Sequence, residues 1–101
     1  MLLPQVPSMT AAQLAEALES ERPPRVLDVR EPHEVERDSL PDILHIPLAE
    51  LQLRVDEIPT GQPVAVICHS GGRSAHATAF LISEGYEAVN VAGGMLAYRA
   101  L

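Results

Sequence analysis

The chain has 101 residues, 47% of them hydrophobic, and a formal charge of −7 from 7 basic and 14 acidic side chains. That is enough for one domain with its own core and too little for two. The negative balance argues against nucleic acid or an anionic membrane as partner, since both need a basic patch, and a single cysteine excludes an internal disulfide.

Thr10-Ala11-Ala12-Gln13 has the form of a helix capping box. Leu14, Ala17 and Leu18 then share a helical face, and Pro23-Pro24 closes the segment. Val26-Leu27-Asp28-Val29 reads as a short strand, apolar on both faces and therefore central in a parallel sheet. Glu31 to Glu36 reads as a short helix with Pro32 in its first turn. Ile43 to Ile46 is a second strand, stopped by Pro47. Leu48, Leu51, Val55 and Ile58 recur at helical spacing, and Pro59-Thr60-Gly61 is turn chemistry.

Val64-Ala65-Val66-Ile67 follows as a buried strand that delivers Cys68. After His69-Ser70-Gly71-Gly72, a helix is expected from about Arg73 to Ser83, with Ala77, Phe80 and Leu81 inward and Gly85 as its stop. Val89-Asn90-Val91 is a last strand, and Gly93-Gly94 opens a final short helix. Strands alternating with helices imply βαβ crossovers and a parallel sheet covered on both faces.

Cys68 is the candidate nucleophile. It stands between a strand end and a helix start, where unpaired N–H groups and the helix dipole favour a thiolate. In open α/β sheets function lies at the carboxyl ends of strands, which selects the same residue. The alternative is a buried cysteine acting as a small hydrophobe. Gly71 and Gly72 permit the backbone to turn N–H groups toward one point, or make an ordinary turn. Arg73 is a candidate anion holder, or else a solvated residue of the first helical turn. His69 is placed as a loop-lining residue rather than a general base. Asp28 and Arg30 share the sheet edge with Cys68 and are candidates for bracing the active loop; the alternative is a surface ion pair of Arg30 with Glu31 or Glu34. The histidines at 33, 45, 69 and 76 lack metal-site spacing, so no zinc is expected.

Val26-Leu27-Asp28-Val29-Arg30-Glu31-Pro32, Ile46-Pro47-Leu48, Cys68-His69-Ser70-Gly71-Gly72-Arg73-Ser74 and Ala92-Gly93-Gly94-Met95, in that order, resemble the rhodanese-like single-domain sulfurtransferase family. The likeness runs from about Thr10 to Tyr98. It implies one domain over residues 1–101 with its core at about 10–98. The implied fold is α/β, three layers α/β/α, with a five-stranded, mostly parallel sheet. It further implies a Cys68 persulfide as intermediate. His69, Ser70, Gly71, Gly72, Arg73 and Ser74 would form the substrate cradle, with Asp28 and Arg30 in support.

The implied reaction moves a sulfane sulfur from a small anionic donor such as thiosulfate to cyanide, a thiol or a protein acceptor, without a cofactor. Relatives with one more residue between Cys and Arg resemble phosphatases of the cell-cycle type; the shorter Cys-x4-Arg spacing favours sulfur. The competing reading is a non-catalytic binding module of the same fold. The lone free thiol, the lack of a signal-like start and the lack of a long apolar run lead us to expect a cytosolic protein.

Three positions depart from the family pattern. Asp38-Ser39-Leu40-Pro41-Asp42-Ile43 stands where many members read Gly-His-Ile-Pro-Gly-Ala. Tyr98 replaces a common tryptophan. The active loop carries one fixed cation, Arg73, where some thiosulfate-specific relatives carry more.

Overall fold

The computed structural model describes residues 3–101. Its elements in chain order are β1 (Ser8–Met9), α1 (Ala11–Leu18), β2 (Arg25–Asp28), α2 (Pro32–Arg37), β3 (Leu44–His45), α3 (Leu51–Arg54), β4 (Val64–Ile67), α4 (Gly72–Ser83), β5 (Ala88–Val91) and α5 (Gly94–Arg99). The five strands form one all-parallel sheet in the order β1-β5-β4-β2-β3. The α/β sheet implied by the resemblance is therefore present.

The central strands carry a core on each face because their side chains alternate. Val64, Val66 and Cys68 point into one cluster with Leu27, Val29, Ile46, Leu51, Ala77 and Leu81. Ala65 and Ile67 point into the other, with Val26, Leu14, Val91 and Met95. Helices α3 and α4 thus cover one face, and α1 and α5 the other.

Local chemistry sets the element ends. The Thr10 hydroxyl accepts the Gln13 N–H at 3.0 Å, and the Gln13 side chain accepts the Thr10 N–H at 2.8 Å, so the capping box forms as expected. Helix α1 ends at Leu18, ahead of the prolines, and beyond it the Ser20 hydroxyl and N–H both donate to the Ala17 carbonyl. The segment 48–58 is not one helix. It forms a 3-10 turn, the four residues of α3 and a second 3-10 turn. Its Leu48 N–H is held by the Val29 carbonyl at 3.0 Å, which sets the direction of entry. Leu51 and Ile58 are still buried.

Strand β1 is the element that the apolar pattern did not reveal. Two residues have no periodicity, and Ser8–Met9 is defined only by pairing with Asn90 and Val91 of β5. The departure at 38–43 preserves a turn. Asp42 adopts φ +57°, the sole left-handed non-glycine residue among those described, at the place where the family pattern has glycine. Aspartate tolerates that region better than most residues.

The strand order also fixes where the site must lie. The connection leaving β2 runs outward to β3, and the one leaving β4 runs the other way to β5. β2 and β4 are neighbours, so a crevice opens between their carboxyl ends.

Candidate active site

Asp28 and Ile67 are register partners at the ends of β2 and β4. The residues that follow, Val29-Arg30 and Cys68 to Gly71, therefore face each other across the crevice. The sequence placed Asp28, Arg30 and the Cys68 loop at one edge, and the structure brings them there.

Around Cys68 the loop closes on the sulfur. The N–H groups of Gly71 and Ser74 donate to Sγ at 3.1 and 3.3 Å, and the Ser74 hydroxyl lies 3.2 Å from it. Gly71 makes this possible by adopting φ +105°, and a Cβ there would lie 3.2 Å from the Gly93 nitrogen. Cys68 itself is 1% exposed. Burial alone pushes its thiol up. The Ser74 hydroxyl and the N–H groups of Ser74, Gly71 and Ser70 outweigh burial and hold the thiol below its ordinary range. Donors aimed at the charged form of a group have this effect.

The back of the loop is also held. The Met95 and Leu96 N–H groups, at the start of α5, donate to the carbonyls of Cys68 and His69 at 2.8 and 3.0 Å. With its carbonyls turned outward, the loop turns its N–H groups inward. Gly94, at φ +55°, allows this approach; a Cβ there would lie 2.6 Å from the His69 oxygen.

Arg73 is neither free nor simply solvated. Its guanidinium holds both carboxylate oxygens of Glu34 at 2.7 and 2.9 Å. Glu34 also accepts the Glu31 N–H at 3.0 Å. The Arg73 pairing, foremost, pulls the Glu34 carboxyl down from 4.5 to about 2. The loop's one fixed cation is thus already paired with a carboxylate. His69 and Ser70 are exposed, and His69 lines a cleft of about 300 Å³ with Arg30, Glu34, Arg37, Asp38 and Arg99.

Asp28 and Arg30 form a buried pair, not a surface one: the side chains are 0% and 2% exposed. Arg30 holds both Asp28 oxygens and reaches the Glu34 and Asp38 carbonyls at 3.4 and 2.7 Å. It braces the loop after β2 and the C-terminal turn of α2. Its support of the Cys68 loop is indirect, through the Glu34 that α2 presents to Arg73.

Sequence reasoning missed Glu34 as the partner of Arg73, Asn90 beneath the loop, and the α5 N–H groups. Asn90 did leave a signal, being a polar residue inside the apolar strand Val89-Asn90-Val91. Its side chain accepts from the Ser74 hydroxyl at 2.6 Å and donates to the Gly71 carbonyl at 3.2 Å.

A profile of the rhodanese-like domain matches residues 10–101. The chain belongs to the rhodanese-like family. It is 38% identical over 74 residues to a sulfurtransferase of Allochromatium vinosum, covering 72% of this chain and 69% of that one. It is 31% identical over 75 residues to the thiosulfate sulfurtransferase GlpE of Pseudomonas syringae, covering 73% and 71%. With YrkF of Bacillus subtilis, provisionally named a sulfur carrier protein, it shares 34% over 91 residues but spans only 49% of that longer chain. The crystal structure of a rhodanese-related protein of Thermoplasma volcanium superposes with a TM-score of 0.87 at 36% identity, covering 94% and 92%. The rhodanese-like frame, the all-parallel sheet and relatives named as sulfurtransferases agree with the expected family. No helix among the described residues is long and apolar enough to cross a membrane.

Proposed function

We propose that this chain is a sulfurtransferase that carries sulfane sulfur on Cys68. The observation that carries this reading is the convergence of two loop N–H groups and the Ser74 hydroxyl on one buried sulfur. Such an arrangement stabilises negative charge on sulfur as an oxyanion hole does on oxygen.

In the first half-reaction the Cys68 thiolate attacks the outer sulfur of the donor. With thiosulfate, a bond forms between Sγ and that sulfur, the donor's S–S bond breaks, and sulfite leaves with the electron pair. The inward N–H groups then face the charge of the persulfide. In the second half-reaction an acceptor nucleophile (cyanide, a thiolate or a protein thiol) attacks the outer sulfur, and Cys68 leaves as thiolate. Two covalent half-reactions give ping-pong kinetics. Residues 10–98 act as one catalytic unit in this reading, in the cytosol, and no cofactor takes part.

Arg73 serves an anionic donor only weakly while Glu34 neutralises it. Thiosulfate therefore serves as the probe donor in the test.

The test is intact-protein mass before and after thiosulfate, in the wild type and in Cys68→Ser. A gain of one sulfur atom that cyanide removes and the variant lacks supports the reading. No gain with thiosulfate or with an alkyl persulfide donor sinks it in favour of the binding module.

A further inference from the structure

The Ser74 hydroxyl sits between two groups that both call on it. It lies 3.2 Å from Cys68 Sγ and 2.6 Å from Asn90 Oδ1. A hydroxyl has one hydrogen to give and lone pairs with which to accept. The Asn90 amide has no freedom to compromise. Its Nδ2 donates to the Gly71 carbonyl at 3.2 Å, and a flipped amide would set oxygen against oxygen there. The Gly71 carbonyl therefore fixes Asn90 with Oδ1 toward Ser74.

With Cys68 as a thiol every group is satisfied: S–H donates to the serine oxygen, and the serine O–H donates to Asn90. With Cys68 as a thiolate the set is one hydrogen short. The serine hydrogen either turns to the sulfur, stranding Oδ1 of a residue only 8% exposed, or stays on Asn90 and leaves two lone-pair-bearing atoms facing each other. Either choice weighs against the thiolate, because a buried acceptor without a donor keeps its full desolvation cost.

We infer that Asn90 is a positioning residue that governs the Cys68 proton through Ser74: by claiming the serine hydrogen it offsets part of the pull that the loop N–H groups exert toward the thiolate. When Cys68 loses its proton to solvent, the Ser74 hydrogen swings from Asn90 to sulfur, and no further co-reactant is needed. The catalytic meaning of this arrangement rests on Cys68 being the sulfur carrier; the proton linkage itself does not.

Other charges near the sulfur act at a distance. Arg73 of α4 is held by Glu34 of α2, with Glu31 nearby. Arg30 is held by Asp28 at the end of β2, and its carbonyl bonds to His45 of β3. Arg99 of α5 is held by Asp38, with Tyr98 beside it in sequence. His69 and His76 are exposed. None of these side chains hydrogen-bonds to Sγ or to the Ser74 hydroxyl among the described residues.

The test reads the Cys68 proton without any sulfur donor, as the pH dependence of alkylation by iodoacetamide followed by mass. In Asn90→Leu the titration midpoint is expected to fall by about one pH unit, a roughly tenfold gain in alkylation rate below both midpoints. Asn90→Asp, which adds an acceptor and a charge, shifts it upward. Adding Asn90→Leu to Ser74→Ala moves nothing, since the intermediary is gone. Where the leucine variant does not fold, Asn90→Val, β-branched and suited to a strand, replaces it under the same criteria. An unchanged or raised midpoint in the apolar variant, or an equal fall without Ser74, overturns the inference. Failure of sulfur loading with this linkage intact would instead count against the proposed function.

Discussion

Two loops leave the sheet side by side, after β2 and after β4, and they solve the same problem with opposite chemistry. The loop after β2 is held from within by side chains: a guanidinium fills it, satisfying the Asp28 carboxylate and two carbonyls. The loop after β4 is held from behind by α5, through its own carbonyls, so its N–H groups are left pointing at one sulfur. A cradle filled by the protein's own charge is architecture. A cradle whose donors meet only a polarisable sulfur is, in the proposed function, where the chemistry takes place.

The comparison breaks most sharply at Asp28. Asp28→Ala leaves the Arg30 guanidinium buried beside α2 without its carboxylate, and should cost about 3–5 kcal/mol of stability in urea unfolding. Cys68→Ser at the neighbouring loop should abolish sulfur loading and leave the unfolding midpoint nearly in place. If the two variants exchanged these phenotypes, the division between a structural and a chemical loop would be wrong.

Gly94→Ala tests the hold from behind. The added Cβ meets the His69 carbonyl at a backbone φ of +55°, and the expected loss is about 1–3 kcal/mol, with slower Cys68 alkylation as the N–H groups turn away. An unchanged alkylation rate would show that α5 does not set the loop.

Glu34→Gln links the two loops, since Glu34 lies on the helix that Arg30 braces and binds the arginine that follows the Cys68 loop. Its lowered carboxyl, from 4.5 to about 2, means that the pairing stabilises the fold fully above the upper value. That stability is lost as pH falls through the lower one. Arg73 is 36% exposed, so solvent screening reduces the contribution to about 1 kcal/mol. Stability measured from pH 6 down to pH 2 should fall more steeply in the wild type than in the variant.

Asp42→Gly has the smallest expected effect, a gain of about 0.5 kcal/mol from relief of the left-handed backbone, offset in part by unfolded-state entropy. A thermal melt of the pair measures it, and a lowered Tm would mean that the aspartate side chain holds the turn.

Sequence made the frame legible where a residue's neighbours along the chain decide its fate. The capping box at Thr10, the continuous apolar run at Val64 to Ile67 and the glycines after Cys68 are local signals, and each became the element it announced. β1 and the broken helix at 48–58 were not legible, because pairing with β5 and the Val29 carbonyl settle them from outside. The same division holds in the site. Cys68 and its loop are contiguous and were readable. Glu34 reaches Arg73 across 39 positions of sequence and Asn90 reaches Ser74 across 16, and no local pattern encodes either meeting. Asp28 and Arg30 were placed correctly in space, but their burial depended on which carbonyls the next helix would offer.

The bonds from Met95 and Leu96 to the carbonyls behind Cys68 and His69 also turn two backbone amides into a clock. Each can exchange its hydrogen with solvent only when the loop releases it, or when the helix it begins comes apart. Their deuterium uptake, compared with that of Ala97, whose N–H stays within the turn on the Gly93 carbonyl, therefore times the opening of the cysteine loop in the resting protein, with no donor, acceptor or label present.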